Sequence, residues 1–203
     1  MTTGEHATTT FVGGSRHIGC LNEEMKRLLN DILNKGHRVV VGDAEGVDKA
    51  VQDYLYASGH KDVEVFCTQG RCRNNVGNWP VRAVDIARRR RDRRYYAAKD
   101  RHMADKASQG LMVWDGKSPG TLANVARLAC AHKHVALYIE PDGRTVCLDS
   151  KADWIRFTKD CPPKLLARVE NQLRAEKREK SRKKDAPSET PLFDAMAGRT
   201  VGN

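Results

Sequence analysis

The chain has 203 residues, of which 39% are hydrophobic and 31% charged, and it carries a net charge of +10. That length suits one compact domain with an appendage, and no apolar run approaches the roughly 20 residues that cross a bilayer, which excludes a membrane-spanning helix. The first residues, MTTGEHATTTFVGG, lack the basic flank and apolar stretch of a secretory signal, so the expected location is the cytoplasm.

The charge is uneven. Residues 71–106 carry 12 basic and 4 acidic side chains and residues 150–203 carry 13 and 8, whereas residues 1–70 carry 7 and 10. Positive charge concentrated in one internal segment and the tail attracts an anionic partner, either a nucleotide or a nucleic acid. Six cysteines, at 20, 67, 72, 130, 147 and 161, show no disulfide spacing and read as reduced thiols. Cys67 and Cys72 make a C-x4-C pair that no second pair completes, so neither a metal nor a cofactor is expected.

Thr8 to Val12 is a short β-rich run, followed by the turn Gly13-Gly14-Ser15-Arg16. Asn22 to Asn34 places Met25, Leu28, Leu29, Ile32 and Leu33 at helical spacing, and Gly36 stops the helix. Arg38 to Gly42, RVVVG, is a continuous apolar strand of the kind covered on both faces. Gly46 to Ser58 returns to helical spacing, and Val63 to Cys67 is a third strand. Between Thr68 and Arg94 the pattern breaks into a basic, irregular insertion, within which Val81 to Arg94 reads as a basic helix. Tyr95 to Ser108 is a clearer helix, Leu111 to Trp114 a fourth strand, Thr121 to His132 a helix and Val135 to Ile139 a fifth strand. After the turn Pro141-Asp142-Gly143, Arg144 to Leu148 is a candidate edge strand.

This alternation predicts an α/β fold with a doubly wound parallel sheet of about five strands. The predicted domain spans residues 8–149, including the insertion at 68–94. Residues 150–184 form a basic helical extension with Leu165, Leu166, Val169 and Leu173 on one face, and residues 185–203 read as a disordered tail.

In an open parallel sheet, ligands sit beyond the carboxyl ends of the strands. Three glycine-containing loops fall there: Gly13 to Arg16, Gly42 to Asp48 and Asp115 to Thr121. Glycines such as Gly13, Gly14, Gly42, Gly46 and Gly116 let a backbone approach a ligand closely. Helix N-termini after such loops offer free N–H groups to an anion. Thr121, after Gly120 at a helix start, adds a hydroxyl, and Arg16 beside its glycine turn suits phosphate. The carboxylates here have two readings each. Asp43 accepts from ribose hydroxyls or acts as a base, Asp48 is a helix-start carboxylate or a ligand contact, and Asp115 is a turn residue or a second catalytic candidate.

The strings GGSR, VVVGDAEGVDKA and WDGKSPGTLAN, each at its strand end, resemble the SLOG superfamily, which unites Smf/DprA-type proteins with the LOG phosphoribohydrolases. The resemblance covers residues 8–140 and is closest to the small YspA/YpsA-like branch. It implies a Rossmann-like fold, a bound nucleotide or nucleotide-derived ligand and, in some members, cleavage of an N-glycosidic bond. Against the PGGxGTxxE signature of LOG enzymes, Ser118, Gly120 and Thr121 match the phosphate-binding part, while Asn124 stands where the catalytic glutamate belongs. Asparagine hydrogen-bonds a ribose hydroxyl but neither acts as a base nor stabilises an oxocarbenium ion by charge. LOG enzymes place an arginine four residues before a methionine; here Lys99 precedes Met103, with Arg101 between, so the charge is kept and the bidentate fork is moved or lost.

The leading expectation is a nucleotide-binding module. Ser118, Gly120 and Thr121 hold the phosphate with help from Arg16 and Lys99, and Asp43 and Asn124 address the sugar. One alternative is a nucleotide N-glycosidase in which Asp43 or Asp115 replaces the missing glutamate. Another is a single-stranded DNA or RNA binder, because Arg88, Arg89, Arg90, Arg91, Arg93 and Arg94 run into Tyr95 and Tyr96, a combination that tracks a phosphate backbone and stacks bases. DprA-type relatives bind single-stranded DNA. Trp79, between Asn78 and Pro80, is a base-stacking candidate or a cap on the sheet edge. LOG-type relatives dimerise, so the resemblance also implies a homo-oligomer.

Overall fold

The computed structural model describes residues 8–70, 72–85 and 93–184. Seven strands form one sheet: β1 (Thr9–Gly14), β2 (Arg38–Gly42), β3 (Val63–Thr68), β4 (Val81–Val84), β5 (Gln109–Trp114), β6 (His134–Ile139) and β7 (Arg144–Leu148). Their order is β4-β3-β2-β1-β5-β6-β7, and all pairings are parallel except β6 with β7. Six helices connect or follow them: α1 (Glu23–Asn34), α2 (Val47–Ala57), α3 (Arg93–Lys106), α4 (Pro119–Cys130), α5 (Lys151–Thr158) and α6 (Pro163–Lys184). This is a Rossmann-like α/β fold. Among the described residues, no helix is long and apolar enough to cross a membrane.

The central strands are apolar throughout because both their faces are covered. Val39 and Val41 point into one core with Val12, while Val40 points into the other with Phe11. On the first side α1 buries Met25, Leu29 and Ile32, and α2 buries Val47, Val51 and Leu55. Each such fully buried side chain contributes about 1.5–3 kcal/mol. α1 begins where Asn22 Oδ1 accepts from Met25 N at 2.9 Å. It ends where Gly36 takes φ +68° and the amides of Gly36 and His37 return to Leu33 and Ile32.

The opposite side carries α3, α4 and the C-terminal helices. Cys161, Leu165 and Val169 are buried in the same core as Leu122, Val125 and Leu137, and Trp154, Phe157 and Leu173 pack against it. The composition changes near residue 150, but the core does not end there. Residues 151–173 are part of the globule rather than an appendage, and α5 was not visible in the sequence pattern. Its start is a Ser150–Asp153 box in which Ser150 Oγ accepts from Asp153 N at 3.2 Å.

One further difference concerns the insertion. The sheet has seven strands: the five expected, the candidate edge strand Arg144–Leu148, and Val81–Val84, which is β4 and not the start of a basic helix. β4 is an edge strand with three of its four residues exposed, so it lacks the apolar run that marks the central strands. Glu64, buried in β3, anchors it by accepting from Arg82 Nε at 3.0 Å and also pairs with Lys106 of α3. The described part of α3 runs from Arg93 to Lys106. Residues 86–92, with Arg88 to Arg91, lie outside the described residues, as does the tail from 185.

Candidate functional site

The chain crosses from one half of the sheet to the other between β1 and β5, which are neighbours. At such a switch point the connections leave in opposite directions and open a crevice beyond the strand ends. A cleft of about 1350 Å³ lies there. The end of β1 and its loop contribute Gly13, Gly14 and Arg16, the β2 loop Ala44, the first turn of α2 Asp48, and the β5 loop Asp115, Lys117 and Ser118. The three glycine loops therefore do share one concavity. The N-terminus of α4 supplies Gly120 and Thr121, with Asn124 behind them, and α3 supplies Lys99.

Ser15 knits the first rim together. Its amide donates to Val113 O and its carbonyl accepts from Val47 N, both at 3.0 Å, so β1, β5 and α2 are fixed to one another. Its hydroxyl donates to Asp115 Oδ2 at 2.7 Å, and Ser118 Oγ reaches both Ser15 Oγ at 3.0 Å and Asp115 Oδ2 at 3.1 Å. Asp115 Oδ1 accepts from the amides of Lys117 and Ser118. Burial alone would raise the Asp115 carboxyl, but the bonds from Ser15, Lys117 and Ser118 outweigh it and hold it below the usual carboxylate value. Asp115 is a staple between two loops, and its oxygens are occupied.

The closeness of backbones explains the glycines. A Cβ on Gly14 would overlap the carbonyl of Val113, and Gly46, with φ +83°, lies against the backbone of Ser15 and Arg16. A Cβ on Gly42 would overlap the Asp48 carboxylate and the Lys99 ammonium. Gly42, Asp43, Gly46, Gly116, Ser15 and Arg101 do not themselves line the cleft; the first three shape the wall behind it.

That wall is a buried charge cluster. Lys99 Nζ sits 3.5 Å from Asp43 Oδ1, 3.5 Å from Asp48 Oδ2 and 3.4 Å from Asp100 Oδ1. Burial works against the Lys99 charge, yet the three carboxylates more than restore it and raise its pKa. Asp43 also takes the Arg73 fork, with Nη2 to Oδ1 at 2.6 Å and Nε to Oδ2 at 3.1 Å. Burial opposes ionisation of Asp43, and Arg73 followed by Lys99 reverses that and holds it below its usual range. Among the described residues, three carboxylates face two cations, and Asp48 has Lys99 at 3.5 Å and a hydrogen bond from Ala44 N at 3.3 Å. Burial pushes the Asp48 carboxyl up, with Lys99 offsetting it in part. Asp43 is therefore locked, whereas Asp48 is the cleft-lining acid held toward its protonated form.

The N-terminus of α4 is differently built. Its N-cap Ser118 spends its hydroxyl on Ser15 and Asp115 and makes no side-chain cap. Pro119 fills the first position, where no donor is lost, and the amides of Gly120 and Thr121 have no partner within the helix. Space around Gly120 is open. Thr121 is 3% exposed, and its hydroxyl has no hydrogen-bond partner among the described residues. Trp114 Nε1 donates to Ser118 O at 3.1 Å and pins the loop from below.

Asn124, one turn on, accepts from Arg127, which is paired with buried Glu176 of α6. α6 adds Arg168 and Gln172 to the cleft. Arg73, Arg127, Glu176 and Gln172 were not singled out in the sequence. For Arg73, Gln172 and Glu176, a stretch that looks like an insertion or a charged tail gives no sign that single residues within it turn inward, and Arg127 on α4 shows its partner only in the folded chain.

Trp79 does not reach the cleft. It is buried in the core on the α1–α2 side of the sheet, its indole donates to His60 O at 3.2 Å, and Asn75 clamps its backbone at both N and O, so it is a core residue rather than a stacking platform. The C-x4-C pair is equally quiet: burial and a hydrogen bond with Cys67 push the Cys72 thiol up to about 12. No metal-holding group of His, Cys, Asp or Glu occurs among the described residues. Comparison with protein-family models, curated proteins and solved structures gives no match to this chain.

Proposed function

We propose that the protein binds a nucleotide or nucleotide-derived ligand in the cleft between β1 and β5, with a phosphate on the N-terminus of α4. The observation that carries this reading is the pairing of free amides at Gly120 and Thr121 with a buried, unpartnered Thr121 hydroxyl. Such a group is costly unless a ligand completes it, and a phosphate accepts from hydroxyl and amides together while the helix dipole favours its charge. Arg16 and Lys117 at the mouth add positive charge. The resemblance to SLOG proteins points the same way. Lys99 serves in this reading as a buried counter-charge within the wall, not as a phosphate ligand.

The test is the melting temperature with AMP, ADP and inorganic phosphate. A ligand at about 100 times its Kd stabilises by roughly 2.7 kcal/mol. Gly120→Asp places a carboxylate in open space at the phosphate position, where the helix end tolerates it. The expected result is an intact fold and no nucleotide-dependent shift. A nucleotide panel that leaves the wild type unmoved sinks the reading.

A hydrolytic role would fall to Asp48, which lines the cleft, rather than to Asp43 or Asp115, whose oxygens are committed. Release of free base from AMP, abolished by Asp48→Asn, would establish it.

A further inference from the structure

The cleft-facing stripe of α6 has no role in the phosphate site. Arg168, Gln172 and Glu176 recur every four residues and so share one helix face. On α4, Thr121, Asn124 and Arg127 are three apart and likewise share a face. The two stripes meet at the buried Arg127–Glu176 ion pair, whose arginine also donates to Asn124. Gln172 lies about 6 Å along α6 from that latch. It lines the same cleft as Thr121 and Asn124. Its Oε1 is closed off from solvent and has no hydrogen-bond partner among the described residues.

An unpaired buried carbonyl disfavours the empty fold. Leu165, Val169 and Leu173 already hold α6 against the core, so packing gives no reason for an amide at 172. We propose that Gln172 is a specificity-determining contact that reads the base of a nucleotide whose phosphate sits at the N-terminus of α4. This rests on the phosphate reading above. With phosphate at Thr121 and ribose along Asn124, the base meets the wall made by α6. A turn about its side-chain bonds brings the amide of half-buried Gln172 into the cleft, where it offers an acceptor beside a donor, the pattern that matches the exocyclic amine and neighbouring ring nitrogen of adenine.

Calorimetric titration of the full chain with AMP and with ribose 5-phosphate tests this, because the two probes differ only in the base. The wild type is expected to bind AMP at least about tenfold more tightly, and Gln172→Leu to lose about that factor for AMP while staying within about twofold for ribose 5-phosphate. Gln172→Met, closer in shape, should show the same split. Both variants should melt, without ligand, at or above the wild-type temperature, since the unpaired carbonyl is gone. Unchanged AMP affinity, or equal losses for the two probes with a lowered melting temperature, overturns the base contact and leaves the phosphate site standing. If neither probe binds the wild type, the phosphate reading fails and this one fails with it.

Discussion

The hydroxyl of Ser15 and the carboxylate of Asp115, 100 residues apart in the chain, meet at 2.7 Å and join the loops on the two sides of the sheet switch point. Ser118 closes the triangle. Because four donors converge on this carboxylate, Asp115→Ala strands buried groups on both loops. It should cost about 2–3 kcal/mol in urea unfolding and remove the AMP-induced shift.

The same residue sets an acid limit. Its carboxyl is depressed below 3.8 in the folded chain, so the stability it supplies is present above that value and is lost as the pH falls through the lower, folded one. Asp43 behaves alike. Melting curves from pH 5 to pH 2 should fall steeply for the wild type and less steeply for Asp115→Asn.

Asp43 and Asp48 should respond oppositely to the same change. Asp43→Asn breaks a part-buried pair with Arg73 and should destabilise by about 1.5–3 kcal/mol. Asp48 has a raised pKa, so its ionisation opposes folding as the pH rises above 3.8. Asp48→Asn removes that opposition, and its stability relative to wild type should be higher at pH 7 than at pH 4. Urea midpoints at the two values decide it.

Two glycines of the cleft should separate just as clearly. Gly14→Ala drives a Cβ into the Val113 carbonyl, which belongs to a fixed strand, and should leave little folded protein. Gly120→Ala meets nothing, and in a helix it should stabilise by about 0.5 kcal/mol. Thermal unfolding of the pair measures both.

A chain ending at Asp149 loses Trp154, Phe157, Leu165 and Val169 from the core and bares Trp114, which packs edge-on against Phe157 at 6.0 Å. It should fail to give a cooperative melting transition. A cooperative unfolding curve from this truncated chain would restore a domain boundary at 150.

Most of the framework was legible in one dimension. The run RVVVG, the helical spacing of Met25, Leu29 and Ile32, and glycine turns at three strand ends depend on local periodicity, which burial on a parallel sheet imposes directly on the order of residues. Parallel strands also send all three loops to the same edge, so their convergence followed from the alternation of elements alone. Edge strand β4 was read as helix because one covered face leaves too few apolar residues to show a period of two. The partners of each carboxylate had to come from the folded chain. Arg73 locks Asp43, Asp48 shares the Lys99 ammonium with Asp43 and Asp100, and α6 turns back so that Gln172 lines the same cleft as Thr121. These are meetings between residues far apart in sequence, set by how helices pack across the sheet, and no local pattern encodes them.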